Sequence, residues 1–299
     1  MITRRILAGL ALLTVYNLAS AQQEEAQINP NSLLNIPKYE QLYKVRVWRT
    51  VDLHEKQNKG FFAKGNEITK IIMDAVKSGE IADIYTSDSL TGKKSKQKFN
   101  DDLISQQGQT FVAWEPAKSF YIDDQITYNG KNYQALTDNT GKNPETSASD
   151  WQPTQAGRAI TYLPSEIYKM TLQEDVIFDK RRSRLYYDML AMEFSAFDEP
   201  TGTFKSIGWF KYKDLEKVFR NHVKDAIWFN RYNTAENKNY ADAFLLRLFH
   251  GTILKVENPD NESIFETLGA NGRPYKEAVW ATEWEEMKMM EKEHNLWEY

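Results

Sequence analysis

The chain has 299 residues and a formal charge of −4, with 41% hydrophobic and 27% charged residues. That length and apolar content can bury a core, which excludes a wholly disordered chain, and the mild acidity gives no reason to expect a nucleic-acid partner. Cysteine is absent, so disulfides and cysteine chemistry are excluded in any compartment.

Residues 1–21 read as an export signal. Arg4 and Arg5 precede a short apolar run from Ile6 to Val15, and Ala19-Ser20-Ala21 offers a small-residue cleavage site before a polar stretch. Cleavage would remove two positive charges and no acid, moving the formal charge from −4 to −6. With no cysteine to carry a lipid, the exported chain is expected to lack a lipid anchor of its own. Residues 22–37, polar and bearing Pro30 and Pro37, read as a mobile N-terminal arm.

Val45 and Val47 alternate with Arg46 and Trp48, which predicts a strand. Ile68, Ile71, Ile72, Ala75 and Val76 fall on one helical face, with Asn66 as a start cap and Gly79 as a stop. Ile81–Thr86 reads as a strand and the basic stretch Thr91–Lys98 as a solvated loop.

Next comes a self-contained aromatic segment. Ile126 and Tyr128, then Tyr133 and Ala135, alternate on either side of Asn129-Gly130, the pair a type I′ hairpin turn requires. A piece this small is marginal alone, so Trp114, Tyr121 and Trp151 are expected to close over a small core.

Beyond it, Pro164–Thr171 opens a short helix. Leu172–Lys180 and Arg184–Phe197 read as strands around a basic corner of Lys180, Arg181, Arg182 and Arg184, and Ser206–Tyr212 as another strand. Asp214–Val223 is predicted helical with Leu215, Val218 and Phe219 inward and His222 next on that face. Asn239–Leu254 is predicted helical until Gly251 relieves it. In the last stretch, residues 276–299, Trp280, Trp284, Met287, His294 and Trp297 recur near helical spacing opposite Glu and Lys. Such an amphipathic helix either docks on its own core or binds a partner, since Trp and Met are favoured at interfaces.

The segment 111–154 resembles the small chitin-binding modules appended to chitinases. The shared pattern runs through Ala113-Trp114, Tyr121, Asp124, Ile126, Tyr128, Gly130-Lys131, Tyr133, Ala135 and Trp151, with Asp123 where the modules carry Gly. The resemblance makes Tyr121, Tyr128, Tyr133 and Trp151 the glycan-binding candidates, because aromatic faces stack on sugar rings.

The rest of the chain is similar to the GldN, or PorN, family of the type IX secretion and gliding motility machinery of Bacteroidetes. The similarity is carried, in order, by Val47–Asn58, Asn66–Tyr85, Leu172–Arg184, Gly208–His222 and Asn239–Ile264. It implies an unlipidated periplasmic protein held at the inner face of the outer membrane. The implied partners are a GldK-like outer-membrane lipoprotein, the periplasmic domain of a GldM-like motor protein, and further copies of the chain within a ring.

No catalytic motif appears. The four His residues, His54, His222, His250 and His294, show no paired ligand spacing, and no Ser stands in a nucleophile elbow. The expectation is therefore a non-catalytic α+β protein without cofactor or metal. The body spans 38–110 and 155–275, the small all-β hairpin module 111–154 is inserted in it, and the amphipathic helix spans 276–299. Trp48, Arg49, Asp52, Glu55 and Lys56, a mixed-charge face, join Trp280, Trp284, Met287 and Trp297 as partner-contact candidates. The alternative is a periplasmic protein that grips peptidoglycan through the aromatic module.

Overall fold

The computed structural model describes residues 28–105, 111–154, 160–199 and 201–297. The expected export signal, residues 22–27 of the expected arm and the last two residues lie outside the described residues. The chain divides into two compact units. The first holds the residues up to Lys94, Tyr168–Phe194 and Gly208 onward; the second holds Ser95–Ile167 and Ser195–Ile207.

In chain order the first unit starts with β1 (Gln41–Asp52). β2 (Phe62–Ala63) and β3 (Asn66–Glu67) pair and lead into α1 (Ile68–Ser78). The five residues predicted for the inner face of α1 are all buried, and Gly79 closes it in the left-handed conformation at φ +88. Asn66 does not cap this helix: its pairing with Ala63 holds it in extended backbone, and Glu67 stands at the cap position instead. β4 (Ile84–Tyr85) and β5 (Lys93–Lys94) follow, and Ser95 caps α2 (Lys96–Asp102) by accepting the Lys98 N–H. The basic loop expected over Thr91–Lys98 is thus an edge strand and a helix start, because β5 pairs with β4 and the Ser95 hydroxyl satisfies a free helix N–H.

The second unit continues with β6 (Ile104–Ser105) and the module strands. These are β7 (Val112–Ala113), β8 (Ser119–Phe120), β9 (Gln125–Tyr128), β10 (Lys131–Ala135), β11 (Asn139–Thr140) and β12 (Trp151–Thr154). They form a four-stranded sheet in the order β12-β10-β9-β7 and the pair β11-β8. Asn129 and Gly130 have φ +49 and +73, as the hairpin turn demands. β13 (Ile160–Thr161) then returns to pair with β6.

Next come β14 (Lys169–Asp179), β15 (Arg184–Asp198) and β16 (Thr203–Lys211). A seven-stranded sheet results, ordered β19-β1-β14-β15-β16-β4-β5, in which β19 (Thr252–Val256) adds to the free edge of β1. α3 (Tyr212–Asn221) buries Leu215, Val218 and Phe219, while His222 turns outward to Glu80 at 2.7 Å. β17 (Ile227–Trp228) pairs with β18 (Lys238–Asn239), which leads into α4 (Tyr240–Leu245). Phe61, Phe219, Tyr240 and Phe244 stack into one aromatic core cluster here.

The helix expected over Asn239–Leu254 stops at Leu245. Arg247 adopts φ +52, which no α-helix accepts, and its guanidinium binds Glu174 on β14. The chain after it is drawn into the sheet as β19. α5 (Ile264–Ala270) opens with a capping box between Ser263 and Glu266, and α6 (Tyr275–Trp297) ends the described chain. The whole is α+β.

Residues 28–37, the described part of the expected mobile arm, are tied to the sheet. The Leu33 N–H donates to Asp188 Oδ1 at 3.2 Å, and Ile36 is buried.

Candidate functional site

Strand geometry splits the mixed-charge face predicted around β1. Neighbouring residues point to opposite sides, so Trp48 and Arg49 part company. Trp48 is 7% exposed and packs with Tyr85, Ala191 and Trp209, while the Lys255 ammonium lies 3.7 Å from its ring centre. Arg49 is buried on the other face. Neither offers an outward contact surface. Asp52 is half-buried and accepts the His54 N–H, Glu55 is exposed and binds His250 Nδ1 at 2.8 Å, and Lys56 is exposed.

Arg49 belongs to a buried ion network that unites distant parts of the chain. Its Nε donates to Glu174 at 3.2 Å, and one terminal nitrogen donates both to the Gly251 carbonyl at 2.8 Å and to Glu286 of α6. Glu174 is fully buried and also accepts two bonds from Arg247, the shorter 2.6 Å. The Arg247 guanidinium in turn lies 4.0 Å from the Tyr187 ring centre. Burial works against the charge on Arg49, but Glu174 and Glu286 outweigh it and hold its pKa above the ordinary value. Two guanidiniums against two carboxylates leave the cluster neutral.

That network fixes α6 in the first unit. Ala278, Thr282 and Met289 recur at helical spacing on the buried side, and Met289 joins the core of Val47, Val176, Phe178, Leu185 and Ile253. The opposite stripe is uncovered: Trp280 is 63% exposed, Trp284 53% and Met287 54%, and Trp297 on the flank is 58% exposed. The helix thus docks on its own unit through one face and presents Trp and Met on the other.

In the module, Phe120, Ile126, Tyr133, Ala135 and Trp151 form the core. Trp151 is 1% exposed, and its indole N–H donates to the Lys142 carbonyl. Tyr133 is equally enclosed. The ring faces of these two glycan candidates are therefore covered by protein and cannot stack on a sugar. Tyr128 is half-buried, edge-to-face with Trp114 at 5.0 Å, and its hydroxyl accepts from Asn143. Tyr121 alone of the four is broadly exposed, at 65%. Asp123, in the place of the expected glycine, takes the left-handed φ of +72 that glycine would supply.

Sequence reasoning missed Glu174, Arg247 and Glu286, which stand 125, 73 and 237 residues from their network partners. Among the described residues no group of three His, Asp or Glu side chains converges as a metal site, and no helix is long and apolar enough to cross a membrane.

A family model described as gliding motility associated protein GldN matches residues 36–298. No curated protein matches the chain.

Proposed function

The chain belongs to the GldN family, a component of the gliding motility and type IX secretion machinery, and on that premise we propose that it is a non-catalytic structural subunit of a periplasmic ring. Its partners would be a GldK-like outer-membrane lipoprotein, the periplasmic domain of a GldM-like motor protein, and further copies of itself. The lipoprotein would hold it at the inner face of the outer membrane. Residues 38–110 and 155–275 would form the family body, with 111–154 an accessory inserted into it.

The observation that carries this reading is the two-faced α6. A helix fastened by the Arg49–Glu286 pair and by Met289 needs no further apolar contact for its own packing, yet it displays three exposed Trp and Met287. Trp at a surface is costly to leave wet and strong as an interface anchor. The test is co-expression of residues 22–299 with the lipoprotein, with and without 111–154, followed by size analysis. A large ring-sized particle in both cases is expected. A chain that never joins the lipoprotein overturns the proposal. The alternative, peptidoglycan binding by the module, keeps Tyr121 as its one broadly exposed aromatic among the four candidates.

A further inference from the structure

The first unit carries a cleft that complements α6. Its volume is about 260 Å³, below the usual range for a small-molecule site and suited to one bulky anchoring side chain. Trp228, Phe229 and Tyr232 line it together with Lys56, Lys59 and Arg231, and no acid is among its lining residues. Gly60 lets the wall form: a Cβ there would stand 2.4 Å from the Trp228 indole nitrogen, and the Phe229 N–H donates to the Gly60 carbonyl at 2.9 Å. Phe229 is 43% exposed and Tyr232 89%. Lys56, Lys59 and Arg231 make no ion pair among the described residues. The nearest acid in sequence, Glu55, is engaged by His250.

α6 supplies the counterpart. The exposed Trp among the described residues, Trp280, Trp284 and Trp297, all lie on it. Glu283 and Glu291, exposed beside that stripe, likewise make no ion pair among the described residues, whereas Glu277 and Glu285 are neutralised by Arg273 and Lys288. An aromatic cleft with three cations outside any ion pair and an aromatic helix face with two such anions thus occur on one chain. Glu286 and Met289 commit the inner stripe of α6 to its own unit and leave the outer stripe uncovered by the described residues.

We propose that the outer stripe of α6 in one copy docks into the Trp228–Tyr232 cleft of a second copy, with Glu283 and Glu291 facing Lys56, Lys59 and Arg231. The two surfaces differ, so the contact is head-to-tail: each copy uses its helix on one neighbour and its cleft on the other. Such a contact propagates into a ring where the rotation closes and into a filament where it does not. The inference deepens the reading of the chain as a ring subunit and rests on it.

Sedimentation velocity on residues 22–299 over a concentration series at low salt tests this. The unaltered chain should self-associate, and less so as salt is added. Reversing the cleft (Lys56→Glu, Lys59→Glu, Arg231→Glu) or the helix (Glu283→Lys, Glu291→Lys) places like charges together and should weaken self-association at least ~100-fold. Mixing the two reversed proteins should restore it, since every contact in an alternating assembly is again complementary. Restoration also shows that neither variant is misfolded. A chain that stays monomeric throughout, self-association untouched by either reversal, or no restoration on mixing would each overturn the proposal. Each reversed protein is also co-expressed with the lipoprotein. A helix reversal that abolishes lipoprotein binding but leaves self-association intact assigns the stripe to that partner, which overturns this inference and leaves the proposed function standing.

Discussion

Replacing Glu174 by Gln should cost more stability than altering any other member of the buried network. Glu174 is fully buried and is shared by Arg49 and Arg247. The substitution keeps shape but removes the charge, and turns one acceptor oxygen into an amide donor facing guanidinium donors. As countercharge Arg49 then keeps only Glu286, whose side chain is 34% exposed, beside the neutral Gly251 carbonyl. Removing one partner of a buried ion pair costs about 3–5 kcal/mol because the remaining charge stays desolvated. With Glu286 still in place, the lower end, about 3 kcal/mol, applies. Glu286→Gln should cost only about 1 kcal/mol, since that pair is partly screened by solvent. Equilibrium denaturation in guanidinium chloride, with an unchanged slope, measures both. A loss below about 1 kcal/mol for Glu174→Gln, or a larger loss for Glu286→Gln, would refute the reasoning.

The arm contact gives a pH signature. Burial pushes the Asp188 carboxyl up, with Asp175 adding to the effect, and its Oδ2 has no hydrogen-bond partner. A carboxyl raised on folding makes stability fall as pH rises from its unfolded value, about 3.9, through its folded value. Asp188→Asn should flatten that slope and leave the protein at least as stable at pH 7; a clear loss at pH 7 would contradict it. Gly251→Ala would place a Cβ 2.6 Å from the Thr50 carbonyl and 2.7 Å from Val51 Cγ2, so β19 must shift from β1, at about 2 kcal/mol, seen as a lower melting temperature. Trp151→Ala should open the module, at about 3–5 kcal/mol of its local stability, read as hydrogen exchange and protease cleavage within 111–154. Tyr121→Ala should leave that stability within about 0.5 kcal/mol. If the protein sediments with peptidoglycan and Tyr121→Ala abolishes this, the module is a glycan binder and not a mere accessory.

Local periodicity carried the fold where neighbours in sequence are neighbours in space. The α1 stripe with Gly79, the Asn129-Gly130 turn and the strands flanking the basic corner are such cases. It failed at Asn239–Leu254, where helical patterning over Leu245 and Leu246 gave way to a bond between Arg247 and a residue far away on β14. The Ser263–Glu266 capping box that opens α5 was missed, although Ser followed three residues later by Glu is a helix-start signal. Two of the five mixed-charge candidates were lost for one reason: alternation in β1 buries Trp48 on one side and Arg49 on the other, and only their sheet neighbours decide that both sides are covered. On α6 the spacing located the aromatic stripe, but the half-buried Glu286 that helps choose which stripe faces in depends on Arg49, 237 residues earlier.

The β6–β13 pair bears on how the protein can be engineered. Thr161 lies opposite Ile104 and Ile160 opposite Ser105, so the chain leaves and returns about one strand spacing apart, roughly 5 Å. Chain termini brought that close are what a grafted domain needs. A fluorescent reporter whose own ends nearly meet can take the place of the segment between them without prising the two strands apart. The secretion apparatus could then be watched in living cells through an internal label, with α6 left untouched.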